Sequence, residues 1–85
     1  MIDEYRAQIT AADRVLLAAV NQRLELVREL HEHKAAEGVP LRDPAREEAL
    51  VRELQAENTG PLSDEGVAEL FRYVLDLTRK ELYGA

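Results

Sequence analysis

Residues 3–34 read DEYRAQITAADRVLLAAVNQRLELVRELHEHK. This stretch decides the fold, because it carries a helical apolar stripe and sets cations into it. Spaced at about 100° per residue, Ile2, Ile9, Ala12, Leu16, Ala19, Val20, Val27 and Leu30 share one face, with Leu26 at its edge. Arg23 and Lys34 fall near the middle of that face, within about 20° of each other and ~16 Å apart along the axis. Arg6 lies on its flank, nearer the N-terminus. An unpaired cation on a buried face costs several kcal/mol or loses its proton. Arginine does not easily take the second route. Arg23 and Lys34 must therefore meet anions, or the face must open onto water. Two readings follow: internal salt bridges or snorkelling side chains, or an anion-binding pocket between helices.

Helix formers run without Gly or Pro from Met1 to Glu37, and Gly38 with Pro40 supplies the stop. The first helix is thus expected to be ~33 residues, or ~50 Å. After a short loop over Gly38–Asp43, Asp43 is an expected N-cap and Pro44 a first helical residue. The second helix carries the stripe Leu50, Val51 and Leu54, with Glu47 on it and Arg46 beside it, and ends near Glu57. Asn58-Thr59-Gly60-Pro61 is a turn cluster. Ser63 caps a third helix whose band is Val67, Leu70, Phe71, Val74, Leu75 and Leu77. Thr78 and Glu81 continue that band, and the helix is expected to fray by Tyr83-Gly84.

No strand pattern, internal repeat or Gly-rich phosphate loop is present, so the expected class is all-α with three helices. The second and third helices, at ~14 and ~20 residues, span only ~21 and ~30 Å. They can cover part of a 50 Å helix and not the rest. A homodimer in which two long helices run along each other resolves the mismatch, and twofold symmetry is the commonest.

Composition narrows the function. A chain of 85 residues holds one domain at most, residues 1–85, with a marginal core when alone. Its net charge of −6 argues against general nucleic-acid binding. The absence of cysteine removes disulfides and thiol chemistry. His31 and His33 are two apart and point to different faces, so neither a metal site nor burial is expected of them. No apolar run suits a membrane span or a leader, and a cytoplasmic, membrane-free chain is expected.

Polar groups recur on all three inward faces: Arg23, Lys34 and Arg6; Glu47, Arg46 and Asp43; Thr78 and Glu81. Cations are in the majority, which suggests a pocket for a small polycarboxylate. The competing pattern is a sealed polar core in which Lys34 pairs with Glu47 and Arg23 with Glu81. Such side chains bind, orient and stabilise charge. They suit catalysis by conformational restriction and preorganised electrostatics.

The order Arg6, Arg23, Lys34, then Arg42-Asp43-Pro44-Ala45-Arg46-Glu47, resembles the all-α chorismate mutases. Ile9, Asp13 and the Leu70-Phe71 pair extend the likeness over nearly the whole chain. The resemblance implies a domain-swapped homodimer with two sites, each taking Arg6 from the partner chain. It implies the Claisen rearrangement of chorismate to prephenate, with no cofactor and no covalent intermediate. By that likeness Arg6 and Arg23 hold the two carboxylates, and Lys34 hydrogen-bonds the ether oxygen. Glu47 and the backbone at Asp43 take the ring hydroxyl, Arg46 lines the site, and Thr78 lies near a carboxylate. One departure stands out. The family usually has Gln or Glu as a second ether-oxygen donor at the position filled here by Leu82. Glu81, nearer the centre of the band, is the expected substitute and would have to be protonated to donate. An isochorismate–pyruvate lyase on the same fold is the alternative enzyme. A weakly active dimer that regulates, or is activated by, a partner such as DAHP synthase is the alternative of another kind.

Overall fold

The structure, a computed structural model, describes residues 1–40 and 42–84; Leu41, inside the expected loop, and Ala85 lie outside them. Three helices follow in order: α1 Ile2–Glu37, α2 Pro44–Glu57 and α3 Asp64–Tyr83. No strand occurs among the described residues. None of these helices is long and apolar enough to cross a membrane.

Local chemistry sets each boundary. Gly38 takes a left-handed conformation at φ 72°, which a side chain would resist. Its N–H donates to the Ala35 carbonyl at 3.3 Å, and the Val39 N–H donates to the Lys34 carbonyl at 2.8 Å. This paired closure satisfies carbonyls that the end of α1 would otherwise leave open. It also fixes the backbone of Lys34 in the last turn. Asp43 Oδ1 accepts from the Arg46 N–H at 3.0 Å and caps α2, with Pro44 at its first position. Ser63 Oγ caps α3 by accepting from the Gly66 N–H at 3.0 Å. Between α2 and α3, Asn58 Oδ1 accepts from the Gly60 N–H at 3.2 Å, and its amide donates to the Leu62 carbonyl at 2.6 Å. That turn folds α3 back along α2.

The core lies between α2 and α3. Its buried residues are Val51 from α2 and Val67, Ala68, Val74, Leu75 and Thr78 from α3. Their spacing of three and four is the helical stripe that buries one face. Leu70, expected in that stripe, is exposed. On α1 no residue is buried. Its C-terminal half leans on α3, where Arg23 meets Thr78 and His31 meets Tyr83, and Val20, Leu24 and Val27 are half-buried there. Its N-terminal half, through Ala19, is wholly exposed, including Ile2, Ile9 and Leu16 at 68, 60 and 55%. The chain measures 55 × 23 × 20 Å, so the two short helices leave the first part of α1 uncovered.

Two more side chains depart from their expected positions. Glu81 is exposed, while Thr78 is buried and Leu82 half-buried. The packed stripe of α3 runs from Val74 through Thr78 to Leu82 in steps of four, and Glu81 falls beside it. His31, expected at the surface, is half-buried and stacks on Tyr83.

Candidate active site

A cavity of about 360 Å³ lies where the three helices meet. Arg23, His31 and Lys34 reach it from α1, Asp43, Arg46 and Glu47 from the start of α2, and Thr78 and Arg79 from α3. Val27, Leu30 and Leu75 give it an apolar wall. Five cations, with Arg42 included, stand against two carboxylates along its lining. A cavity of similar volume borders α2 and α3 and is lined by Arg42, Arg52, Arg72 and Arg79 without any residue of α1. The first cavity is the stronger candidate because all three helices furnish its polar groups.

Arg23 is anchored. Its Nη1 donates to Thr78 Oγ1 at 2.9 Å, and the same hydroxyl donates to the Val74 carbonyl at 2.7 Å. Burial draws the Arg23 guanidinium below its usual pKa, and the charge of Glu47 works against that. Arginine stays protonated at neutral pH under such a shift. The remaining N–H groups of its fork can serve an anion bidentately. Thr78→Val keeps the buried shape but removes the acceptor. We expect it to lower stability by about 1–2 kcal/mol, measured by urea unfolding. An unchanged midpoint would show that the hydroxyl does not hold Arg23.

Glu47 is held from behind. Arg79 Nη1 donates to its two oxygens at 2.7 and 3.2 Å, and Arg79 Nη2 also pairs with Asp76. A carboxylate has about four lone-pair sites, so Glu47 keeps capacity for a further donor. Arg46 sits 3.6 Å from Glu53 in an exposed pair. Lys34 is half-buried and forms no ion pair among the described residues. The sealed polar core is therefore not what forms: Arg79 takes Glu47, Thr78 takes Arg23, and Glu81 points elsewhere.

Of the expected site residues, Arg23, Lys34, Asp43, Arg46, Glu47 and Thr78 line the cavity. Arg6, Glu81 and Leu82 do not. Arg6 is exposed on the uncovered half of α1. Arg42, Arg79, His31 and Tyr83 also line the cavity, and the sequence pattern had not placed them there. Arg79 lies off the apolar band by one residue, about 100°, and reaches in with a long side chain. His31 did carry a signal. It follows Val27 by four residues and precedes Lys34 by three, the spacing of one helix face.

The sequence matches the family described as chorismate mutase type II over residues 5–82. It is 39% identical over 71 residues to a bifunctional chorismate mutase/prephenate dehydratase from Neisseria gonorrhoeae. That match covers 84% of this chain and 19% of the relative, so the chain spans about a fifth of its length. Two forms of a chorismate mutase from Thermus thermophilus share the fold. Form I has a TM-score of 0.88 at 32% identity, covering 91% of this chain and 96% of that one. Form II has a TM-score of 0.86 at 32% identity, covering 91% and 88%. Since the family match takes in nearly all of the three helices and every charged side chain that lines the cavity, the chain belongs to the chorismate mutase type II family.

Proposed function

We propose that this chain is a chorismate mutase that converts chorismate to prephenate as a homodimer, with Arg6 supplied to each site by the partner chain. The observation that carries the reading is the cavity in which Arg23, Lys34, Arg46, Glu47 and Thr78 converge in a member of this family.

The reaction needs little from the protein beyond what these residues offer. In a Claisen rearrangement one C–O bond breaks and one C–C bond forms within a single molecule. No proton, hydride or external nucleophile takes part. The substrate is a dianion that must be held with its two reacting carbons close together, and such restriction removes a large entropic barrier. Arg23, steadied by Thr78, grips one carboxylate, and Arg6 of the second chain grips the other. Glu47, braced by Arg79, accepts from the ring hydroxyl beside the Asp43 backbone. Lys34 donates to the ether oxygen, where negative charge gathers as the C–O bond stretches. A fixed ammonium stabilises that charge without reorganising, which favours the transition state over the ground state. Val27, Leu30 and Leu75 exclude water on the apolar side and strengthen these interactions.

The second chain enters through the uncovered half of α1. Ile2, Ile9, Leu16 and Leu17 would remain in water on a monomer, an apolar stripe of the kind that marks an association surface. Sedimentation at micromolar concentration is expected to give twice the 9.6 kDa of one chain. A stable, folded monomer at that concentration rules out the dimer and the trans position of Arg6 together.

The activity itself is tested by the purified protein's consumption of chorismate, with prephenate identified as product. Release of salicylate and pyruvate from isochorismate, with chorismate untouched, overturns the reading in favour of the lyase. Slow turnover that rises on adding DAHP synthase keeps the chemistry and adds the partner.

A further inference from the structure

His31 lines the cavity, and the mechanism above gives its imidazole no task. It lies on the same face of α1 as Val27 and Lys34, and all three line the cavity. Its ring stacks on Tyr83 of α3, with centroids 5.0 Å apart and planes 29° apart. Its Nδ1 is buried and has no hydrogen-bond partner among the described residues. That nitrogen is closed to a ligand as well as to water, so the ring meets the cavity through its other atoms, Nε2 among them. The lining around it is rich in cations, which is where an anionic ligand settles.

We propose that His31 is a direct contact of the bound dicarboxylate, held in place by Tyr83 one turn from Lys34. The inference rests on the function proposed above and adds a ligand-binding residue to that site. Its chemistry follows from its neighbours. The titratable and charged groups that share the cavity with it are Lys34 from its own helix, Arg79 and Tyr83 from α3, and Arg42, Asp43, Arg46 and Glu47 from the loop and α2. Burial, and then the charge of Lys34, hold the imidazole below the usual histidine pKa. It is therefore neutral near pH 7 in the empty cavity, and its Nε2 is open to a ligand as donor or acceptor according to the tautomer. A carboxylate arriving beside the ring favours the imidazolium. Binding then draws a proton onto His31. The sign follows from linkage: affinity for the dianion rises as pH falls through the bound-state pKa and levels off below the free-state pKa. Each unit by which the ligand raises that pKa strengthens binding about tenfold on the acid side.

The protein has two histidines, and the second, His33, is exposed. The variant His33→Gln leaves His31 as the only imidazole without touching the cavity. Its ring signals are followed by NMR from mildly acidic to mildly alkaline pH, with and without a stable bicyclic ether dicarboxylate shaped like the rearranging substrate. The expected result is an upward move of the His31 midpoint when the ligand is present. A ligand that shifts the backbone signals of Arg23 and Lys34 but leaves the His31 midpoint in place overturns this inference and leaves the proposed function standing. A ligand that shifts nothing removes the proposed function, and this inference with it. In turnover, His31→Gln is expected to abolish the pH dependence of KM that His31 causes while keeping affinity at alkaline pH. His31→Leu is expected to lose affinity there as well. Wild-type KM profiles in both variants again overturn the contact.

Discussion

Lys34→Ala is expected to lower the turnover of chorismate by about 10²–10³ and to leave the helical dimer assembled. The size of the effect comes from when the interaction is made. The ether oxygen carries little charge in the substrate and more at the transition state, so the ammonium contributes mainly to kcat. The structure keeps that ammonium available. Lys34 stands in the last turn of α1, where the helix dipole favours a cation. Its carbonyl is tied by the Val39 N–H at 2.8 Å, which fixes the base of the side chain. No carboxylate among the described residues pairs with it. Because the residue is only half-buried and helix propensity favours alanine, the fold tolerates the change. Lys34→Arg is not expected to restore the rate, since a planar fork does not replace a compact point charge. Circular dichroism and sedimentation should match wild type while turnover falls. Full activity in Lys34→Ala would mean that the cavity is not where the bond breaks.

The second expected result is a recovery. Arg6→Ala and Lys34→Ala subunits, each nearly inactive alone, should regain activity when mixed or co-expressed. Arg6 and Lys34 lie ~42 Å apart along one helix axis, and a small ligand cannot touch both in the same chain. If both serve one site, the two long helices run antiparallel and Arg6 comes from the other subunit. In a mixed dimer one site then receives both defects and the other receives neither. Random pairing makes about half of the dimers mixed, each with one intact site, so activity should approach about a quarter of wild type. The control is each parent carried through the same mixing with itself. Purified mixed dimers as inactive as their parents would return Arg6 to the role of a surface arginine.

How much of the site could be read from the sequence differs from residue to residue. Arg23 and Lys34 were legible because the helical period places both on the apolar face, where a cation demands a partner. Asp43 was legible as a cap, since an acidic residue before a proline suits the start of a helix and little else. Thr78 was legible as a polar member of an apolar band. Arg79 and Arg42 were not, because long side chains reach a site from positions that backbone periodicity assigns to the flank. Glu81 misled for the opposite reason. Three residues after Thr78 and four after Leu77 it sits near the band on a wheel, but α3 packs through the row Val74, Thr78 and Leu82, and the small difference in angle leaves Glu81 in solvent.

The sequence by itself determined the three helices, their stops at Gly38 and Glu57, the cap at Ser63 and the cations on the inner face of α1. These depend on interactions within a few residues: capping hydrogen bonds, backbone freedom at glycine and the period of the stripe. Only the tertiary structure decided the partners. That Arg23 rests on Thr78, that Arg79 rather than Lys34 holds Glu47, and that His31 stacks on Tyr83 are contacts between residues separated by 55, 32 and 52 positions. Such pairings depend on how α3 is rotated against α1 and α2. Long flexible side chains can satisfy their charges in several ways, and the packing of Val51, Val74 and Leu75 selects one of them.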